Sequence, residues 1–171
     1  MDFTLNTLIK RAYANPSLRQ NICNKGMIYL YCDYSGQVKQ MDCGVACCFV
    51  YNHSISVTAE KRLVKRDGGS NYGELLAIHY SLDVLTQALE KYRPKFVVLY
   101  TDCSCISRLL FRSSFVKPFY EKARNDILTS LNDLKVKFPE VEVQVKYISK
   151  HKKNNALHRM AHNAARKAIG K

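Results

Sequence analysis

The sequence predicts an α/β fold: a mixed five-stranded sheet flanked by helices. Three observations carry that prediction. After a short helical start, the hydrophobic patterns run β-β-β-α-β-α-α-β-α along the chain. Three antiparallel strands followed by strand–helix alternation imply a mixed sheet with helices on its faces. A length of 171 residues with 47% apolar content suits one domain with a real core.

Residues 2–14 read as a short amphipathic helix with Leu5, Leu8, Ile9 and Tyr13 on one face, and "NPSLRQN" breaks and restarts it. Residues 1–26 are thus a helical extension, too short for a domain and expected to pack against the sheet edge, and 27–171 are the main domain. "MIYLYCDY" (27–34) is apolar, β-branched and aromatic, hence a strand. "QMDCGVACCFVY" (40–51) and "HSISVTAEKRL" (53–63) are two more, joined by a tight hairpin at Asn52. The third alternates Ile55, Val57 and Ala59 with Ser54, Ser56 and Thr58, which suits an edge strand with one wet face.

"RDGGSN" (66–71) is a loop. The clearest helix spans 72–92, with Leu75, Ile78, His79, Leu82, Leu85 and Leu89 as its stripe, and Pro94 ends it. "KFVVLYTD" (95–102) is a buried strand, and "CSCISRLLF" starts a short helix. A longer basic helix covers 118–138, and 141–149 alternate as a last strand. "KHKKNN" is a loop. The terminal helix "ALHRMAHNAARKAIG" buries Leu157, Met160, Ala161, Ala164 and Ala168, with Gly170 near its end.

Charge narrows the function class. Lys and Arg number 27 against 14 Asp and Glu, a formal +13, which favours polyanionic partners, nucleic acid first. No run of roughly 18 apolar residues is present, so no membrane span is expected. The N-terminus lacks the basic start and apolar stretch of a signal peptide. Seven cysteines, an odd number lying mostly in apolar runs, read as buried free thiols in a reducing, cytoplasmic setting. Cys103 and Cys105 have no second pair at zinc-finger spacing.

Three acids stand out. Asp33 and Asp102 each end an apolar strand, and Glu74 is placed in the first turn of the long helix. Singly, each has an ordinary explanation: a turn residue, a helix cap, or a carboxylate complementing the helix dipole. If the two strands are neighbours, all three reach the same sheet edge, where ligands of open sheets bind. Converging carboxylates repel, and a divalent cation gives them a reason to converge.

In "YCDYSG", "SNYGELLAI", "LYTDCSCI" and "SKHKKNNALHRMAHNAARKA", taken in order, the chain resembles type-I ribonuclease H over residues 27 to about 169. The resemblance implies a ribonuclease H-like mixed five-stranded sheet. It implies two divalent ions, Mg²⁺ or Mn²⁺, held by Asp33, Glu74 and Asp102. The four blocks in order are more specific to the fold than to the activity. The family's fourth acid, in a pattern like N-x-x-A-D-x-x-A, falls here on His158 within "NNALHRMA". An imidazole still ligates but suits Mn²⁺, Zn²⁺ or Fe²⁺ better than Mg²⁺. His162 lies one turn beyond His158, so both can share a face, but only His158 is assigned to the metal. His151 matches a loop histidine proposed to assist leaving-group protonation or product release, in a loop that is shorter here. Tyr34 stands where the family more often has glycine.

The activity this implies is endonucleolytic cleavage of the RNA strand of RNA–DNA hybrids by a monomer, leaving 5′-phosphate and 3′-hydroxyl ends. Asp33 and Asp102 are the central ligands, Glu74 holds one metal and orients the water, and His158 is an outer ligand. Ser70 and Asn71 match the polar pair that contacts the 2′-hydroxyl. Lys117, Lys122 and Arg124, with Lys135 and Lys137, are candidates for the DNA strand's phosphates. The alternative is a catalytically inactive nucleic-acid-binding module on the same fold, motivated by the missing fourth acid.

Overall fold

The computed structural model describes residues 3–36, 41–65, 68–149 and 154–171. The strand β1 (Met27–Gly36) organises it, because both of its faces are apolar. Ile28, Leu30 and Cys32 point to one side of the sheet and Tyr29 and Tyr31 to the other, as strand alternation requires. Such a strand is stable only when covered on both faces. It lies at the centre of a five-stranded sheet of order β3-β2-β1-β4-β5.

β2 (Asp42–Tyr51) pairs antiparallel with β1, setting Asp33 opposite Ala46, and β3 (Ser54–Leu63) pairs antiparallel with β2. The hairpin turns at Asn52 and His53, both at positive φ (46° and 65°), the arrangement that matches the twist of the flanking strands. β3 is the edge strand, with its wet face as expected. β4 (Phe96–Thr101) and β5 (Glu142–Tyr147) add parallel on the other side of β1. Pairing between β1 and β4 ends at Tyr31 opposite Tyr100. Beyond that point β1 continues to Gly36 along β2 alone. Asp33 therefore does not end its strand. It sits where β1 and β4 part.

One face is covered by α3 (Gly69–Leu89), α4 (Ile106–Phe111) and α5 (Pro118–Lys137), which pack Leu75, Ile78, Leu82, Leu85, Ile106 and Ile127 against the sheet. His79, expected in the α3 stripe, is only half-buried. The other face is covered by α6 (Ala156–Ala168) together with α1 (Phe3–Ala14) and α2 (Pro16–Cys23). The N-terminal helices were expected at the sheet edge and lie on this face instead. A single helix is about 10 Å across, whereas five strands stand about 4.8 Å apart, so α6 alone leaves apolar sheet uncovered. Leu8, Ala12, Leu18 and Ile22 are buried in the same cluster as Tyr29, Tyr31, Val50 and Val98. Asn15 caps α2, accepting from the backbone N–H groups of Ser17 and Leu18.

Two helix placements bear on the acids. α3 starts at Gly69 rather than Tyr72, so Ser70 and Asn71 lie in its first turn and Glu74 in its second. α6 presses directly on β2: a Cβ on Gly44 would stand 2.0 Å from the Ala165 carbonyl oxygen. The buried side of α6 runs through Leu157, Met160, Ala161 and Ala165, with Ala164 and Ala168 half-exposed, and it includes His158.

Candidate metal centre

Asp33 faces the side of the sheet that α6 covers, since it follows Tyr29 and Tyr31 in the strand's alternation. Thr101 ends β4, and Asp102 follows it into the notch between the two strands. α6 delivers His158. Its capping residue Asn155 accepts a hydrogen bond from the His158 backbone N–H at 3.0 Å, which places the histidine in the helix's first turn. Asp33, Asp102 and His158 each offer a ligand atom, and these atoms all lie within 4.8 Å of one another. Asp33 and His158 are 4% and 6% exposed, and Asp102 is half-buried, so the set opens to solvent at Asp102.

Glu74 approaches from the opposite face, on α3. Thr101 Oγ1 donates to Glu74 Oε2 at 3.3 Å and accepts from the Cys103 backbone N–H at 3.1 Å. This relay ties the turn bearing Asp102 to the helix bearing Glu74. Glu74 also lies close enough to the Asp33 carboxyl for the two to interact. Its pKa is held well above the ordinary glutamate range, first by burial and then by the negative charges of Asp33 and Asp102. Two carboxylates and an imidazole make a donor set for a divalent cation, and the strain on Glu74 marks a negative field that such an ion relieves.

Of the four residues assigned to the metal on sequence grounds, Asp33, Asp102 and His158 lie together, His158 being buried, while Glu74 approaches from α3 outside that set. His151 lies outside the described residues. Ser70 and Asn71 are exposed at the start of α3, and Asn71 Oδ1 accepts from the Cys103 thiol at 3.8 Å.

The cations divide. Lys117 stands at the residue before α5 and borders a groove with Asn71, Cys105, Arg108, Arg112, Phe115 and Tyr120. Lys122 is exposed but paired with Asp126 at 2.9 Å. Arg124 corrects the sequence reading. It is 7% exposed, and its guanidinium donates to the carbonyls of Leu109, Leu110 and Arg112, at the C-terminal end of α4. The unsatisfied carbonyls of a helix end attract a cation inward, so Arg124 serves the fold and not a phosphate.

His162, left unassigned on sequence grounds, lies against Asp33. Its Nδ1 lies 2.7 Å from Asp33 Oδ2, while His158 Nε2 lies 3.8 Å from Asp33 Oδ1. The i, i+4 spacing of the two histidines was the available signal. Which side of α6 turns toward Asp33 was not in the sequence pattern. Arg108 and Arg112 were likewise unassigned and line the groove beside Lys117.

No family model matches the sequence, and no curated protein matches it either. Solved structures do. A ribonuclease H1 from the halophilic archaeon Halobacterium salinarum superposes with a TM-score of 0.61 at 14% identity, over 84% of this chain and 98% of that one. The N-terminal ribonuclease H domain of a Mycobacterium tuberculosis protein gives 0.58 at 13% identity, over 85% and 97%. LC11-RNase H1, isolated from compost and solved in complex with an RNA/DNA hybrid, gives 0.58 at 16% identity, over 84% and 99%. At these identities the likeness shows the fold: this chain has the ribonuclease H fold.

Proposed function

We propose that this protein is a divalent-metal-dependent endonuclease that cleaves the RNA strand of RNA–DNA hybrids. The observation that carries the reading is the gathering of Asp33, Asp102 and His158, with Glu74 nearby on α3, in the notch between the parallel strands β1 and β4. A module that only bound phosphates would gain nothing from buried anions at that position. The hybrid held by LC11-RNase H1 supports the substrate class.

Asp33 would hold the metal from β1, Asp102 from the turn after β4, His158 from α6 and Glu74 from α3. Bound there, divalent ions supply Lewis-acid activation of a water and charge neutralisation at the scissile phosphodiester. Asp33 is the shared element, since it faces α6 from the sheet and also interacts with Glu74 of α3. Glu74, buried and linked through Thr101 to the Asp102 turn, would hold one metal and orient the attacking water. Ser70 and Asn71 stand exposed one turn before it, where a ribose 2′-hydroxyl is read. Lys117, with Arg108 and Arg112, faces the DNA strand's phosphates from the adjoining groove. Lys122 adds a weaker contribution, because Asp126 competes for its charge.

Labelled RNA–DNA hybrid, double-stranded RNA and double-stranded DNA, each incubated in Mg²⁺ and in Mn²⁺, test the reading. Hybrid is cleaved in at least one metal, Asp102→Asn is inactive, and His158→Asp shifts the preference from Mn²⁺ toward Mg²⁺. No hybrid cleavage by the wild type in either metal sinks the enzyme and favours the inactive binding module.

A further inference from the structure

We propose that His162 is a positioning residue for Asp33, holding its carboxylate in the orientation in which the site binds a divalent cation. The inference rests on reading Asp33, Asp102 and His158 as a cation site, and it goes beyond that reading by giving the site a further functional residue.

The two oxygens of Asp33 face two different imidazoles. Oδ2 is within hydrogen-bond distance of His162 Nδ1, at 2.7 Å. Oδ1 lies on the side of His158, whose Nε2 is 3.8 Å away and outside that distance. The carboxylate is therefore tied to α6 through Oδ2, while Oδ1 is turned toward the ligand set. An ionised carboxylate only accepts, so a hydrogen bond to it requires a proton on His162 Nδ1. Among the described residues, the ion pairs of Asp33 are with these two histidines, and no lysine or arginine competes for Oδ2. With its side chain 6% exposed, Asp33 has little water to fix its torsion, so the His162 nitrogen that reaches Oδ2 from α6, together with the neighbouring Glu74, sets its plane.

The support behind His162 is rigid. Nδ1 is only two bonds beyond Cβ, so its position follows that of the α6 backbone. That backbone is seated one turn on, where Ala165 meets Gly44 with no room for a Cβ. Ala161, the residue before His162, is fully buried in the same apolar cluster as Ala165. The His162 side chain is 36% exposed, and its Nδ1 contact to Asp33 Oδ2 is made from the edge of the buried face of α6. Outer partners that orient a ligating carboxylate commonly contribute about 10–100-fold to metal affinity.

Mn²⁺ titration by calorimetry or by paramagnetic resonance, with no nucleic acid present, tests this. The panel is wild type, His162→Ala, His162→Leu and His162→Asn, with the unfolding midpoint of each metal-free protein measured alongside. Leucine keeps bulk without a donor. Asparagine places an amide N–H close to where Nδ1–H stands. The expected result is a loss of about 10–100-fold in Mn²⁺ affinity for Ala and Leu, with most of it recovered by Asn, at similar unfolding midpoints. Wild-type affinity in folded Ala and Leu variants overturns the inference and leaves the cation site standing. No Mn²⁺ binding by the wild type overturns both.

Discussion

Burial and two neighbouring aspartates raise the pKa of Glu74, so the folded protein keeps a proton there that the unfolded chain begins to release near the ordinary value of 4.5. The stability linked to that proton is complete below about pH 4.5 and is lost as the pH rises through the folded-state value. Glu74→Gln removes the titration. In metal-free protein it is therefore more stable than wild type at pH 7 and close to it at pH 4, which denaturant unfolding across that range measures. Added Mn²⁺ stabilises wild type at neutral pH more than it stabilises the Gln variant. Arg124 makes a contrasting case at the same scale. Its guanidinium neutralises three carbonyls at the end of α4 and lies 4.8 Å from the Phe115 ring centroid. Arg124→Met leaves those carbonyls without their charged donor and costs roughly 2–3 kcal/mol of stability by the same measurement. Arg124 and Lys117 are alike as letters in a basic stretch. Their separation into buried brace and exposed cation follows from which face of α5 meets α4, which charge patterning does not encode.

Between elements, Tyr34 and Gly73 form a pair. A Cβ on Gly73 would stand 2.2 Å from the Tyr34 ring, so α3 approaches β1 over that ring only because residue 73 has no side chain. Glu74 is the next residue, and the height of this contact sets where its carboxylate meets Asp33. Gly73→Ala alone forces the ring or the helix to move and costs about 1–3 kcal/mol. In a Tyr34→Ala background the clash is gone, and alanine's better helix propensity contributes roughly 0.5–1 kcal/mol in the opposite direction. The substitution thus changes sign between the two backgrounds, and a double-mutant unfolding cycle reads that coupling directly. Tyr34 was visible in the sequence as a departure from a glycine-bearing strand. Its compensation at Gly73 was hidden, because the two residues belong to elements 39 positions apart that meet only in the fold. Element types were legible from periodicity, and the central strand, the hairpin and the long helix followed the patterns that announce them. Boundaries and docking were less so. α3 begins three residues early on a glycine with no side-chain cap, and the stripe of α1 and α2 shows that it is buried without showing against what.

For the molecule as a whole, a formal charge of +13 surrounds a buried acidic notch. The excess was plain in composition, but its distribution was not, since several cations are already engaged. Lys61 pairs with Asp42, Arg62 with Glu60, Lys122 with Asp126 and Lys137 with Glu90, while Arg124 is inside. Arg108, Arg112 and Lys117 are left along the groove next to Asn71, interleaved with Phe115 and Tyr120. Each cation that meets a phosphate on binding displaces counterions, so affinity falls steeply with salt and the slope reports how many cations take part. Hybrid binding measured over a salt series, with the Asp102→Asn protein to suppress cleavage, therefore separates groove cations from engaged ones. Replacing Arg108, Arg112 or Lys117 by glutamine reduces the log–log slope by about one for each phosphate-binding charge removed. Lys122→Gln changes it less, because Asp126 already neutralises that lysine. Arg124→Met leaves the slope unchanged at temperatures where the variant is folded. A slope that responds equally to every substitution would mean that net charge, and not the groove, holds the hybrid.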